Sequence, residues 1–181
     1  MLKSKIRKKI LNIRKKNYNQ NNKFFNLKLF KEINKINLKK KIIGGYYPVN
    51  FEVNILELLN KLEKKDLKLS LPVVKKNKEM NFYSWSSNSF LKLNKYGIPE
   101  PEQIKKVFPD IILIPLVAFD KRLYRIGYGG GYYDRYIKKI SKKKKTFKIG
   151  IAHSCQKINN IPANKHDRRL DIIITEKYIL R

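Results

Sequence analysis

The segment from Ile111 to Tyr136, IILIPLVAFDKRLYRIGYGGGYYDRY, determines the fold that we predict for this chain. It opens with an apolar, partly β-branched run that ends at Phe119 and is typical of a central strand buried on both faces. A polar turn that ends near Arg125 follows, and the chain then enters a glycine-rich loop. The glycines of this loop are Gly127, Gly129, Gly130 and Gly131. Because the loop leads directly into a predicted helix at Tyr132, the segment has the strand, loop and helix order of an anion site, most often one for phosphate.

The glycine loop has two interpretations, a tight turn without a ligand and a cradle of backbone N–H groups around one. Four glycines in five positions weaken any regular element, because each glycine loses more backbone entropy on ordering than another residue would. We prefer the ligand-binding interpretation. The loop is not a Walker A motif, since no Gly-Lys-Ser/Thr follows, and Tyr132 replaces the last glycine of the dinucleotide fingerprint. The usual motifs therefore do not name the nucleotide.

Composition limits the class of protein. The 181 residues fit one domain, residues 1–181, with a substantial core. The net charge is +29, from 43 Lys and Arg against 14 Asp and Glu, which by itself suggests nucleic acid or another anionic surface. However, most of the excess is lysine spread along the chain, and arginine, the better residue for bidentate phosphate or base recognition, is scarce. We therefore favour compositional drift over a dedicated nucleic-acid surface.

The numbers of cysteine and histidine residues and the length of the apolar runs further limit the class of protein. Cys155 is the only cysteine, which indicates a reducing compartment rather than a disulfide framework. Its neighbour His153 suggests a nucleophile, but the sequence offers no third orienting group, so a buried bystander thiol is the favoured interpretation. His153 and His166 lack metal-ligand spacing, and the apolar run that ends at Phe119 is less than half of the ~20 residues of a membrane span. We expect a cytoplasmic protein without a membrane segment.

Hydrophobic periodicity predicts alternating helices and strands. The predicted helices cover 2–16, 21–36, 51–64 and 132–140, and the predicted strands cover 41–47, 67–74, 79–85, 111–119, 147–152 and 170–175. Residues 88–101 are predicted as a loop and 102–107 as one or two helical turns, and Glu52 falls in the first turn of its helix. The alternation predicts an α/β fold, a mostly parallel sheet with helices on both faces. Ligands of such sheets bind at the carboxyl ends of the strands. The residues expected there are Tyr47, Glu52, Lys75, Arg125 to Asp134 and Asp167.

Seven motifs occur in order along nearly the whole chain. They are Lys-x-x-x-Arg at Lys3 and Arg7, Tyr46-Tyr47-Pro48 before Glu52, Leu71 to Val74 followed by Met80, Phe82 and Trp85, Gly97 to Pro101, Val117 to Asp120, RIGYGGGYYDR at Arg125 to Arg135, and IPANKHDRRLDIIIT at 161–175. Together they resemble the 5-formyltetrahydrofolate cyclo-ligase family, also called methenyltetrahydrofolate synthetases. The glycine-rich motif is the specific one. The resemblance implies a three-layer Rossmann-like fold (NagB/RpiA/CoA-transferase-like).

The resemblance also implies an ATP-dependent ligase of one-carbon metabolism. In this reaction the formyl oxygen of 5-formyltetrahydrofolate is phosphorylated, N10 of the folate attacks the activated carbon, and phosphate leaves. The products are 5,10-methenyltetrahydrofolate, ADP and phosphate. Phosphoryl transfer asks a protein for positioning and charge stabilisation rather than a covalent nucleophile, and the sequence shows no convincing nucleophile.

The roles of individual residues are likewise implied by the resemblance. The catalytic residues would be Arg125, Tyr133 and Asp134. The ATP-binding residues would be Lys3, Arg7, Arg125, Ile126, Gly127, Tyr128, Gly129, Gly130, Gly131, Tyr132 and Tyr133. The substrate-binding residues would be Tyr47, Glu52, Trp85, Gly129, Gly130, Gly131 and Tyr132. Asp134 and Asp167 match positions that bind magnesium, a hard cation suited to one or two carboxylates plus phosphate oxygens. The chain departs from the family pattern at Asn54 and Ile55, where an acidic residue and a threonine are frequent, and at Tyr128, where a basic residue is frequent.

Two other functions stay open at this point. An RNA-binding protein would use the lysine excess and should show clustered basic residues interleaved with exposed aromatic side chains. A sugar-phosphate enzyme of the same fold should need no ATP. The preferred interpretation predicts ATP and Mg²⁺ as cofactors, 5-formyltetrahydrofolate with or without a polyglutamate tail as partner, a monomeric protein, and neither specific nucleic acid nor membrane as a partner.

Overall fold

A computed structural model describes residues 2–18, 23–35, 41–75 and 77–181 of the chain. Within these residues the helices are α1 (Leu2–Lys16), α2 (Lys23–Asn34), α3 (Leu56–Glu63) and α4 (Tyr132–Ile140), and a short 3-10 helix covers Ser154–Gln156. The strands are β1 (Ile42–Gly44), β2 (Lys68–Val74), β3 (Met80–Trp85), β4 (Leu91–Leu93), β5 (Pro99–Pro101), β6 (Lys106–Val107), β7 (Ile111–Pro115), β8 (Ala118–Phe119), β9 (Arg125–Ile126), β10 (Phe147–Ile151), β11 (Ile172–Ile174) and β12 (Ile179–Leu180). The bounds predicted for α1 and α4 are confirmed, whereas both ends of the helix predicted at 21–36 lie outside the described residues.

Among the described residues, eight strands form the central sheet in the order β12-β11-β10-β7-β1-β2-β3-β6. The inner strands from β11 to β2 run parallel, and β12, β3 and β6 are antiparallel additions at the two edges. Both faces are covered. Ile111 and Leu113 of β7 pack with α2 and α3, whereas Ile112 and Ile114 pack with α4. The predicted α/β fold with helices on both faces is therefore confirmed.

The prediction of one strand from Ile111 to Phe119 is wrong at its end. β7 stops at Pro115, whose ring leaves no N–H to extend the ladder. Ala118 and Phe119 belong to a separate antiparallel ribbon with β9. Between them, the Leu116 and Val117 carbonyls accept hydrogen bonds from the Gln156 side-chain amide at 2.6 and 2.9 Å. The end of β7 directs the chain out of the sheet at its carboxyl edge. The β8–β9 ribbon then leads into the glycine loop.

Two further predictions are corrected between β3 and β7. The predicted loop at 88–101 contains the β4–β5 hairpin, whose turn has Gly97 at φ +70°, and the Asn94 side chain accepts the Tyr96 and Ile98 N–H groups at 2.8 and 3.2 Å. The predicted helical turn at 102–107 ends instead in β6, which pairs with β3. Strands of two or three residues show too little alternation to be recognised from the sequence.

The helix predicted from Phe51 begins only at Leu56. Asn50 and Phe51 have φ of +49° and +63°, a left-handed conformation that a right-handed helix cannot contain. The Asn54 side chain accepts the N–H of Leu56, the first residue of α3, at 3.0 Å. Glu52 therefore lies in a tight turn before the helix rather than in its first turn, and this turn determines where its carboxylate is buried.

The N-terminal helix α1 packs on the β8–β9 ribbon at the carboxyl edge of the sheet. Ile10 is buried there with Ala118 and Ile126. Leu2 at the start of the helix is 61% exposed, whereas Arg14 near its end is 1% exposed. Over the described ranges, none of the helices combines the length and apolar character needed to cross a bilayer.

Candidate active site

The glycine loop leads directly into the N-terminus of α4. Gly129 and Gly131 have φ of +106° and +65°, values that L side chains rarely adopt. At Gly130 the constraint is space, because a Cβ would lie 2.5 Å from the Tyr132 ring. Since Gly131 precedes the first residue of α4, the loop presents backbone N–H groups and the positive end of the helix dipole. This arrangement suits an anion.

Two cations of α1 reach the same region. The Arg7 Nε donates to the Gly127 carbonyl at 2.8 Å, and the Lys3 Nζ lies 2.5 Å from the Asp167 Oδ2. Of the ATP-binding residues predicted in the N-terminal helix, Arg7 therefore contacts the loop and Lys3 contacts Asp167, across 120 and 164 residues of sequence.

The segments of the two predicted metal-binding carboxylates are linked at this edge. Asp134 Oδ1 accepts a hydrogen bond from Arg125 Nη2 at 2.8 Å and from the Arg168 N–H at 3.0 Å. Arg125, only 6% exposed, donates in addition to the Arg168 carbonyl at 2.7 Å. Because Arg168 follows Asp167 directly, these bonds bring the segment of Asp167 next to Asp134.

This donor set fits magnesium only with help from a ligand. Within the described ranges there is no group of three or more His, Cys, Asp or Glu side chains that could hold a metal ion. Two carboxylates are nevertheless a suitable protein contribution for Mg²⁺, which usually keeps several waters and takes its other oxygens from substrate phosphates. The residues therefore fit a metal that arrives together with a phosphate.

A buried carboxylate lies on the other side of the loop. Glu52 is 5% exposed, and its Oε2 accepts the Val49 N–H at 2.9 Å. Burial raises the pKa of Glu52 from 4.5 to about 7, against the opposing effects of that N–H, the Arg14 charge and a hydrogen bond with Tyr128. Burial and the Glu52 charge also raise the pKa of Tyr133 above its ordinary value. Near neutral pH the site thus contains a neutral phenol beside a carboxyl group that titrates.

Arg14 lies in the site although it is not among the residues predicted from the sequence. Its guanidinium donates to the Leu116 carbonyl at 3.1 Å, to the Asn50 carbonyl at 2.7 Å and to the Tyr128 hydroxyl. The missed signal is helical spacing, because positions 3, 7, 10 and 14 fall on one face of a helix. Arg14 therefore shares a face with the buried Ile10 and with the other two cations.

The sequence profile of the 5-formyltetrahydrofolate cyclo-ligase family matches residues 1–176. The chain belongs to this family. It is 36% identical over 138 residues to the 5-formyltetrahydrofolate cyclo-ligase of Mycoplasma pneumoniae, covering 76% of this chain and 74% of the relative. It is 32% identical over 142 residues to that of Haemophilus influenzae, covering 74% and 75%.

Solved structures of the same family have this fold. The NMR structure of the 5,10-methenyltetrahydrofolate synthetase of Aquifex aeolicus superimposes with a TM-score of 0.81 at 33% identity, over 100% of this chain and 93% of that one. The structure of the synthetase from Mycoplasma pneumoniae superimposes with a TM-score of 0.75 at 31% identity, over 97% and 99%. The family resemblance drawn from the motifs is therefore confirmed.

The other residues predicted to bind ATP or substrate lie in different parts of the structure, some near the glycine loop and one far from it. The Tyr132 hydroxyl lies 3.0 Å from that of Tyr96, at the tip of the β4–β5 hairpin, while Tyr47 is half-buried between β1 and the Glu52 turn. Ile126 is buried under α1. Trp85 pairs with Leu69 near the amino end of β2, roughly 17 Å of strand from the carboxyl edge at ~3.3 Å per residue. The structure therefore does not bring Trp85 to the glycine loop, and its role as a substrate contact stays a prediction.

Cys155 lies in an environment that disfavours a thiolate. Burial raises the pKa of the Cys155 thiol, and the nearby Glu176 charge adds to the effect. Burial likewise lowers the pKa of His153, whose Nε2 has no hydrogen-bond partner among the described residues. These shifts support the interpretation of Cys155 as a bystander rather than a nucleophile of a cyclo-ligase.

Proposed function

We propose that this protein catalyses the ATP-dependent cyclisation of 5-formyltetrahydrofolate to 5,10-methenyltetrahydrofolate, with release of ADP and phosphate. One observation carries the proposal: a single short loop contacts a phosphate-type site on one side and a buried carboxylate on the other. The Gly127 carbonyl accepts from Arg7, whereas Tyr128, the next residue, interacts with Glu52. A phosphate donor and a pterin held on these two sides would meet at the glycines.

The reaction balances without a covalent enzyme intermediate. The bond between the γ-phosphorus of ATP and its bridging oxygen breaks as the formyl oxygen bonds to that phosphorus. N10 then attacks the formyl carbon, the carbon–oxygen bond breaks, phosphate leaves and N10 loses its proton. Positioning and charge stabilisation are what such a transfer requires.

The residues have separate tasks in this scheme. Arg125 and the N–H groups of the glycine loop stabilise the transferring phosphoryl group, and Lys3 and Arg7 bind the remaining phosphates. The Glu52 carboxylate accepts hydrogen bonds from the amino and ring N–H groups of the pterin, beside Tyr47. The half-buried, neutral Tyr133 shields this contact from water.

Asp134 and Asp167 would hold Mg²⁺, which would neutralise charge on the phosphates when bound. Each carboxylate now pairs with a predicted phosphate ligand, Lys3 with Asp167 and Arg125 with Asp134. If metal and nucleotide bound together, the carboxylates would pair with the metal and the cations with the phosphates. Either ligand alone would leave the carboxylates or the cations without a partner. We infer that ATP and Mg²⁺ bind cooperatively.

The outer rim of the loop would accept an anionic tail. Lys95 and Arg135 lie over the rings of Tyr96 and Tyr132 at 5.0 and 5.3 Å, and the Lys78 charge acts on Tyr96 as well. A polyglutamate extension of the folate would meet these cations in solvent, with an affinity that falls as salt rises. We further propose that the protein acts as a monomer in the cytoplasm.

The deciding experiment follows the absorbance of the protein with 5-formyltetrahydrofolate, Mg²⁺ and ATP, because methenyltetrahydrofolate absorbs at longer wavelength than the substrate. We expect a rise that requires ATP and that disappears in Asp134→Ala but persists in Glu102→Ala, which removes an exposed carboxylate. A rise without ATP, or none in folded protein, would refute the proposal. RNA retention that survives moderate salt would then favour the nucleic-acid alternative.

A further inference from the structure

The Arg14 guanidinium joins three segments that are distant in sequence. Its acceptors are the Asn50 carbonyl in the Glu52 turn, the Leu116 carbonyl after β7 and the Tyr128 hydroxyl in the glycine loop. Only 1% of Arg14 is exposed, so these acceptors replace water for most of the charged group. A planar guanidinium donates in several fixed directions at once, which a lysine ammonium on a flexible stem does not reproduce.

One of these acceptors lies in a strained turn. Asn50 and Phe51 both have left-handed φ values, +49° and +63°, and such strained backbone persists only where the surrounding structure holds it. The bond from the Val49 N–H to Glu52 at 2.9 Å joins the two ends of this turn, and the bond from Arg14 to the Asn50 carbonyl at 2.7 Å holds its middle. The position of the Glu52 carboxylate therefore depends on a side chain of α1.

The electrostatic surroundings of Glu52 point to the same side chain. The titratable and charged groups that act on Glu52 come from each element around it. They are Arg14 of α1, Tyr46 after β1, Tyr128 of the glycine loop and Tyr133 of α4. Among them Arg14 is the cation, and the Tyr128 hydroxyl that it contacts also interacts with the Glu52 carboxylate.

We propose that Arg14 is a positioning residue that joins the two sides of the site: it holds the Glu52 turn in place and supplies positive charge to the Glu52 carboxylate, directly and through the Tyr128 hydroxyl. The helix that brings Lys3 and Arg7 to the phosphate side is thereby fixed to the side that holds the pterin. The link to substrate binding rests on the proposed function, whereas the link between Arg14 and Glu52 does not.

The first test uses the ligand-free protein. Proteins with ¹³C-labelled glutamate side chains are titrated by NMR, and Glu52 is assigned by its loss in Glu52→Gln. The variants are Arg14→Met, which removes the charge, and Tyr128→Phe, which removes only the relaying hydroxyl. Lys9→Met is the matched control, because it removes one charge from the exposed face of the same helix. Thermal melts confirm that each variant is folded.

We expect the midpoint of Glu52 to move upward by about one pH unit in Arg14→Met, because loss of a nearby opposite charge disfavours the carboxylate. Tyr128→Phe should move it in the same direction by less, and Lys9→Met should leave it in place. If Arg14→Met does not fold, the shift in Tyr128→Phe decides. A midpoint that stays where it is in wild type, in every folded variant, would overturn the proposal.

The second test measures binding of 5-formyltetrahydrofolate without ATP at pH 7 and pH 9. A midpoint moved from about 7 to about 8 lowers the ionised fraction at pH 7 roughly fivefold and leaves it almost unchanged at pH 9. We therefore expect Arg14→Met to lose about fivefold in affinity at pH 7 and to regain it at pH 9. An equal loss at both pH values would contradict a role through Glu52. A wild-type protein that binds no folate would refute the proposed function, while the ligand-free titration would still decide the role of Arg14.

Discussion

Replacing Glu52 with glutamine is expected to stabilise the ligand-free protein at alkaline pH and to abolish its activity. Glu52 has a pKa of about 7 in the folded protein, against 4.5 for an unperturbed glutamate, mainly because it is buried. An acid whose pKa is raised by folding contributes stability that is fully present below pH 4.5, falls as pH rises, and is lost above pH 7. Glutamine resembles the protonated acid at every pH and escapes this loss.

The size of the stabilisation in Glu52→Gln follows from the pKa shift of Glu52. A rise from 4.5 to about 7, at ~1.36 kcal/mol per pKa unit, corresponds to about 3 kcal/mol. The free energy of unfolding of Glu52→Gln should therefore equal that of wild type at pH 4 and exceed it by up to about 3 kcal/mol at pH 8. Urea denaturation at pH 4, 6 and 8 measures the difference.

The exposed Glu102 provides the control, since Glu102→Gln changes the net charge by the same amount without removing a buried group. It should leave the free energy of unfolding nearly unchanged at each pH. The reasoning fails if Glu52→Gln is destabilised at pH 8, or if its gain is the same at pH 4 and pH 8. Because the glutamine amide would face the pterin with a donor where an acceptor is needed, the stabilised variant should show no ATP-dependent turnover.

Three other predictions test separate parts of the molecule. Gly130→Ala should reduce activity at least ~10-fold, because the added methyl group would lie 2.5 Å from the Tyr132 ring. Gly127→Ala is the control and should stay active, because its Cβ meets nothing within 4 Å. Equal activities of the two variants would contradict this prediction. Asp120→Ala should lower the free energy of unfolding by about 3 kcal/mol, because this fully buried carboxylate accepts hydrogen bonds from three backbone N–H groups and from an arginine side chain. A loss below ~1 kcal/mol in urea denaturation would contradict this prediction. In calorimetry Mg²⁺ should raise ATP affinity at least ~10-fold in wild type and far less in Asp167→Asn, and an unchanged Mg²⁺ effect in the variant would remove that residue from the metal site.

Local patterns were sufficient for the elements that carry the glycine loop. The bounds of α4 follow from the glycines before Tyr132 and from the apolar spacing after it, and both are local properties of the sequence. The alternation of helices and strands likewise predicted the parallel sheet. Each of these inferences needs only residues within about one element of one another.

The positions of several site residues could not be predicted from local patterns, because they depend on backbone conformation and on contacts between segments distant in sequence. Glu52 was placed in a helix because the left-handed turn at Asn50 and Phe51 has no glycine to mark it, and a phenylalanine rarely adopts that conformation. Arg14 was not predicted as a site residue, because its acceptors lie 36 to 114 residues away. Trp85 was expected near the site from the family resemblance, but the antiparallel pairing of β3 with β2 places the end of β3 at the amino end of β2.

The position of α1 has a consequence for how the protein folds. The first helix of the chain contacts the glycine loop and Asp167, which lies 164 residues beyond Lys3. Contacts of such separation are slow to form, because a long loop must close before they contribute any stability. The parallel sheet, whose most distant strand pairing joins Ile43 to Ile111, should therefore form before α1 docks. In a refolding experiment, the far-ultraviolet signal of the sheet should return ahead of ATP binding, and the interval between the two would measure how long the protein exists as a folded sheet without an active site.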